Sequence, residues 1–379
     1  MAHLAGMKLA LLFGVLGGAY AAGLVKLPRN AALTTYTTVT TGNDQTFDNV
    51  LVDTGSSSLW VGASSPYVPG PNSKATGETF GVGYEEGSAT GLVYLDTVTI
   101  GSATVTNQYV GAANQTSLPT DLEPLDGFIG LSFNGSNAHT ISGIDGPTNT
   151  FLDSLVEEGV IEQALWSMVV PALDVAAGQQ VGEGEIVFGG YDVSKVQGEI
   201  AWLDIINPFN QSMWSFNLRA PSRPYRDDSH SDKHMDGIYF GDNQISADGP
   251  LFVDTDSGDI WLSLNIESYL AIQNAVPGAA GASINSETVI LAFPANASLA
   301  DLPPLHYSMN AQNFTLTPEQ YIVPSNAYAI LNITGDGRHY TWFASAGFQM
   351  DAILGQAWLQ YFYSIYDVGN KKIGFANYA

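Results

Sequence analysis

An all-β chain of two lobes is what this sequence predicts, on three observations. Short apolar stretches rich in Val, Ile, Thr and Tyr recur along it, broken about every 8 to 12 residues by Gly, Asn or Pro, the rhythm of strands and turns. At 379 residues the chain exceeds what one hydrophobic core organises. A short motif also occurs once in each half, whole as Leu51-Val-Asp-Thr-Gly-Ser56 and altered as Phe252-Val-Asp-Thr-Asp-Ser257. The lobes are expected at 23–203 and 204–379.

The elements follow in order. Lys8 precedes an apolar run, Leu9 to Tyr20, that closes on Ala-Tyr-Ala-Ala, which has the charge, length and small-residue exit of a signal peptide over 1–22. The run is too short to span a membrane, so a secreted, extracellular protein is expected. The first motif reads as a buried strand entering a tight turn: Leu51 and Val52 seek a core, and Gly55 accepts backbone that a Cβ resists. Asp53 then stands fixed at a strand end, with hydroxyls of Thr54 and Ser56 at hand to orient it. A helix is expected over Asn149 to Glu158, capped by Asn149 or Thr150, with Phe151, Leu152, Leu155 and Val156 on one face and Gly159 as stop. Arg219 to Asp242 is the most polar stretch and reads as an exposed insertion. The second motif repeats the first with Asp254, Thr255 and Ser257, and a second helix over Ile266 to Gln273 follows it.

Charge narrows the function. Against 37 Asp and Glu stand 12 Lys and Arg, a formal charge of -25. Such a surface repels nucleic acid and suits an acid medium, where protonated carboxyls leave few positive charges to repel one another. Six Asn-x-Ser/Thr sequons, at Asn114, Asn134, Asn210, Asn296, Asn313 and Asn332, are open to glycosylation along the secretory route. The absence of cysteine leaves the redox compartment undecided.

Several further segments fall in one familiar order, and with them the chain resembles the pepsin-like aspartic proteases almost end to end. Val52 to Gly62 (VDTGSSSLWVG) is similar to that family's first catalytic loop, Thr79 to Gly91 (TFGVGYEEGSATG) to its flap hairpin, and Asp126 to Leu131 and Asp351 to Gly355 to the two strands beneath the catalytic loops. The closing stretch Tyr363 to Ala376 fits as well, and the lack of cysteine lies nearest the secreted fungal members. The resemblance implies a bilobal pepsin-like fold with a cleft between the lobes, and a secreted acid endopeptidase. Its catalytic pair is expected at Asp53 and Asp254, supported by Thr54, Gly55, Ser56, Thr255 and Ser257. Substrate is expected against Trp60, Tyr84, Glu85, Glu86, Gly87 and Asp256. Two carboxyls about 3 Å apart cannot both ionise cheaply, so they share one proton, and the pair activates a water without metal or cofactor. A monomer acting on peptides is expected.

Three departures keep a second reading open. Glu85 and Glu86 put two charges on the flap tip. Asp256 replaces the glycine of the second Asp-Thr-Gly, which adds a carboxylate beside the pair and, where that position demands positive φ, strain of about 1 to 3 kcal/mol. Between Ala22 and Asp53 no room is left for the basic propeptide that relatives carry. The alternative is therefore a catalytically impaired pepsin-fold protein that binds peptides or inhibits another enzyme.

Overall fold

The computed structural model describes residues 24–27, 33–118, 125–171, 184–206, 213–218, 236–285, 288–347 and 350–379. Strands dominate, as the turn rhythm predicts, and they form three large sheets and a smaller one. The first seven-stranded sheet belongs to the first half. At its centre Gln45–Asp53 runs parallel to Gly127–Gly130, which runs antiparallel to Leu59–Val61, which in turn runs parallel to Ala103–Thr116. The second seven-stranded sheet repeats that weave: Phe252–Thr255 is parallel to Ala352–Leu354, antiparallel to Leu262–Leu264, and that strand is parallel to His339–Ser345.

Glycine makes the weave possible. A Cβ on Gly130 would stand 2.3 Å from the amide nitrogen of Ser57, and one on Gly355 would stand 2.2 Å from the carbonyl oxygen of Trp261. The strand and the loop above it pass so closely that a side chain has no place. This is the physical reason for the glycine that ends each of the segments Asp126 to Leu131 and Asp351 to Gly355.

A six-stranded sheet joins the halves. Its order is Leu24–Leu27, Gly184–Phe188, Leu165–Val169, Phe362–Asp367, Lys372–Tyr378 and Val196–Asp204, so strands of the chain's end lie between strands of its first half. The boundary expected at 203/204 falls at the last residue of Val196–Asp204. Trp166 stacks on Tyr366 at 4.0 Å, and Trp214 meets both edge-on and donates its indole N–H to the Leu131 carbonyl at 2.9 Å. Aromatic pairs of this kind add about 0.5 to 1.5 kcal/mol beyond their burial and tie the floor of the first motif to the joining sheet.

The expected helices form, with small corrections. Phe151–Glu157 starts at Thr150, whose side chain and that of Asp153 complete a reciprocal cap, and stops before Gly159 at φ +69°. Phe151, Leu152 and Leu155 are buried, but Val156 is 36 % exposed and lies off that face. The second helix, Ile266–Ala275, is capped by Asn265. The polar insertion is shorter than expected: Gly237–Phe240 is a buried strand of the four-stranded sheet, and 219–235 lie outside the described residues.

Candidate active site

The strand Gln45–Asp53 buries Val50 and Val52 and delivers Asp53 to the turn, where its carboxyl is 4 % exposed. The Gly55 N–H donates to Asp53 Oδ1 at 2.8 Å and the Ser56 hydroxyl donates to Oδ2. These donors favour the carboxylate form, whereas burial, the larger effect, raises its proton affinity above the ordinary carboxylate range.

The residue facing Asp53 is Asp256, and not Asp254. A Cβ placed on Gly55 would lie 2.6 Å from Asp256 Oδ2, and one placed on Gly258 would lie 2.8 Å from Asp53 Oδ1. Each glycine thus clears space for the carboxyl of the opposite motif. The Gly258 N–H donates to Asp256 Oδ1 at 2.8 Å, the same bond at the same length that Gly55 makes to Asp53. Strand register agrees: Asp53 lies opposite Gly130, and since Thr255 pairs with Leu354, Asp256 comes opposite Gly355.

The two turns also lock through their second residues. Thr54 Oγ1 accepts from the Ser257 N–H at 2.9 Å and donates to the Thr255 carbonyl at 3.0 Å. Ser257 Oγ accepts from the Thr54 N–H at 3.0 Å and donates to the Val52 carbonyl at 2.7 Å. Threonine in one turn and serine in the other do the same work, because each needs only one hydroxyl. The second motif is therefore Asp256-Ser257-Gly258, set two residues later than the Asp-Thr of the sequence suggests.

This register corrects three expectations. Asp254 is 1 % exposed, does not line the cleft, and stands where the first motif has Leu51; its Oδ1 accepts from the Thr255 N–H at 2.9 Å, and Ser215 is its side-chain partner. Ser257 serves the interlock and not a carboxyl of the pair. Asp256 replaces no glycine and is not among the residues with positive φ, so the strain foreseen there is absent. Burial foremost, then the charge of Asp53, pushes the Asp256 proton affinity well above the ordinary range.

Over this pair lies a cleft of about 540 Å³, lined by Asp53, Asp256, Gly258, Tyr84, Glu85 and Glu86 together with apolar Tyr36, Leu51, Phe128, Ile260, Trp261 and Ile330. The strands Lys74–Tyr84 and Gly87–Ile100 form the hairpin over it, with Glu85 and Glu86 at its tip and Gly87 opposite Tyr84. The Trp60 indole N–H donates to the Tyr84 hydroxyl at 2.7 Å, and Phe128 stacks on both rings. Beneath the pair, Gln356 donates to the Ser257 carbonyl at 2.7 Å and accepts from the Thr35 hydroxyl at 3.1 Å. Sequence reading missed the functional importance of Gly258, Asp259 and Gln356. The order Asp-Ser-Gly was the signal for the first two.

A family model, that of the eukaryotic aspartyl proteases, matches residues 34–378. The chain is a member of that family. Polyporopepsin of Irpex lacteus is 30% identical over 349 residues, covering 88% of this chain and 91% of its own. Gastricsin of Cavia porcellus is 28% identical over 353 residues, covering 87% and 76%. The crystal structure of the aspartic proteinase from Irpex lacteus matches with a TM-score of 0.79 at 26% identity, covering 94% of this chain and 97% of that one. In this aspartyl protease the two carboxyls, the hairpin over them and the interlocked turns thus form one connected unit.

Proposed function

We propose that the chain is a secreted acid endopeptidase that hydrolyses peptide bonds with Asp53 and Asp256 as its catalytic pair. One observation carries this reading: the two carboxyls face each other across glycines that make room for them, each held by an equivalent N–H. Asp53, with three donors from Gly55 and Ser56, is the ionised member; Asp256 keeps the shared proton. A water held between them loses its proton to Asp53 as it attacks the peptide carbonyl. Asp256 donates its proton to the carbonyl oxygen as the tetrahedral intermediate forms. The chemistry requires no metal or cofactor.

The apolar walls support bulky apolar residues beside the scissile bond, and the hairpin supports an extended peptide by adding main-chain hydrogen bonds and excluding water. Removing the supposed strain at Asp256 also removes the main reason for a catalytically impaired protein. Secretion rests on the 1–22 leader, which lies outside the described residues, and among the described residues no helix is long and apolar enough to cross a membrane. Of the sequons, Asn114, Asn296, Asn313 and Asn332 are exposed and suited to glycosylation, Asn134 is half-buried, and Asn210 lies outside the described residues. A monomer remains part of the proposal.

The test is digestion of acid-denatured haemoglobin by the secreted protein between about pH 3 and 5, with and without a statine-type inhibitor of the pair. Cleavage that the inhibitor abolishes, and that Asp53→Asn lacks, is the expected result. Cleavage persisting in Asp53→Asn would overturn the reading.

A further inference from the structure

The two halves match residue for residue around the pair, which makes their differences informative. Beside Asp53 the first motif holds Leu51, an apolar side chain, and Ser56, whose hydroxyl donates to Asp53 Oδ2. Beside Asp256 the equivalent positions are Asp254 and Asp259. Two carboxyls thus flank the second catalytic aspartate where an apolar group and a hydroxyl donor flank the first. Asp259 does not copy Ser56: its Oδ1 accepts from the Trp261 N–H at 2.9 Å, and its Oδ2 accepts from the Ser263 hydroxyl at 3.4 Å.

We propose that Asp254 and Asp259 are positioning residues that fix the shared proton on Asp256 and keep the pair singly protonated, hence active, at pH values closer to neutral than a Leu and Ser arrangement would. The inference rests on the catalytic reading of Asp53 and Asp256 above.

The physical argument has two parts. A carboxylate gains stability from each hydrogen bond it accepts, and Asp256 accepts the Gly258 N–H where Asp53 accepts that bond's equivalent and a hydroxyl besides. Neighbouring negative charge then penalises ionisation of Asp256, and Asp53, Asp259 and Asp254 all act on it in that direction. The other groups that face the cluster come from two elements. The flap contributes Tyr84, which faces Asp53, and Glu85 and Glu86, which face Asp259; the strand Phe362–Asp367 contributes Tyr366, which faces Asp254 and Asp256. Burial pushes Asp254 and Asp259 themselves up to about 7. Both are therefore neutral in strong acid and begin to charge as neutrality nears, which is when Asp256 would otherwise lose its proton. The active species is lost on the alkaline side when that proton leaves, so a raised proton affinity moves the alkaline limb of activity upward.

The test restores the first half's pattern in the second, with the full chain and the variants Asp259→Ser and Asp254→Leu. Two pH profiles are read: kcat/KM on a peptide substrate, and the Kd of a statine-type inhibitor, which reports the singly protonated pair without turnover. In each variant the alkaline limb of both profiles should fall by about one pH unit, a roughly tenfold loss at the wild-type midpoint, while the acid limb stays in place. A change of packing alone would lower the whole profile and leave its midpoints unmoved. Asp259→Asn, close in shape and still able to accept from Trp261, carries the test if either variant fails to fold. Folded variants whose alkaline limbs coincide with the wild type overturn the inference, even when Asp53→Asn and Asp256→Asn are inactive. Retained cleavage in those two overturns the catalytic reading and the inference with it.

Discussion

Exchanging one carboxyl for an amide, at two positions two residues apart, separates the two registers of the second motif. In Asp256→Asn the amide oxygen still accepts the Gly258 N–H, and the amide nitrogen faces Asp53 where the shared proton lay, so the fold and the cleft persist. What disappears is a group that can give its proton to the carbonyl oxygen and take it back. General acid or base catalysis contributes roughly 10² to 10⁴-fold, about 3 to 5.5 kcal/mol of barrier, and kcat should fall by at least that much. In Asp254→Asn the amide oxygen keeps the Thr255 N–H, the residue touches no substrate, and the buried site loses an ionisable group. Its kcat at the acid optimum should stay within about tenfold of wild type. The assay is initial-rate cleavage of an internally quenched peptide, with active-site titration by a tight statine-type inhibitor to count folded enzyme. The reasoning fails if Asp254→Asn is the inactive member and Asp256→Asn the active one. For the same reason Asp256→Gly, which the Asp-Thr register would make an improvement, should abolish activity.

The remaining predictions concern the frame around the pair. Thr54→Ala removes an acceptor from the buried Ser257 N–H and a donor from the Thr255 carbonyl, and should cost about 1 to 3 kcal/mol in urea denaturation; Thr54→Ser should recover most of it. Tyr84→Phe deletes the partner of the Trp60 indole and should lower kcat/KM about tenfold, with the melting temperature moving by only a few degrees. Burial lifts Asp53, Asp254, Asp256 and Asp259 above their unfolded values, Asp254 and Asp259 to about 7. A carboxyl raised in this way contributes stability in full below its unfolded value near 4, and loses it as pH rises through the folded value. Calorimetry should therefore find the melting temperature falling between about pH 4 and 7, and a midpoint that rises over that interval would refute the assignment of buried carboxyls.

Much of this molecule is legible because its signals are local. Turn residues between short β-branched runs gave the sheets; Thr150 and Gly159 bounded a helix; Tyr84 and Trp60 were placed in the cleft region by short segments around them, and a 2.7 Å bond joins them. The second catalytic aspartate was harder to read because two aspartates two residues apart compete for one role, and the Asp-Thr pair drew attention to the wrong one. Physical requirements rank the candidates differently. The turn needs a glycine, because an opposing carboxyl occupies the space of its Cβ, and Gly258 supplies one for Asp256 while Asp254 is followed at that spacing by Asp256 itself. The turn needs a hydroxyl between aspartate and glycine, and serine meets that need as well as threonine. A strand must also follow at a fixed distance: Leu262-Ser263-Leu264 stands as far beyond Asp256 as Leu59-Trp60-Val61 stands beyond Asp53. Glycine and strand spacing are constraints of shape, whereas the identity of a hydroxyl residue is interchangeable, so a motif altered in evolution is better anchored on the former. Asp259 was beyond such reading for a different reason. Its meaning depends on the contrast with Ser56, and that contrast exists only once the two turns are known to face each other.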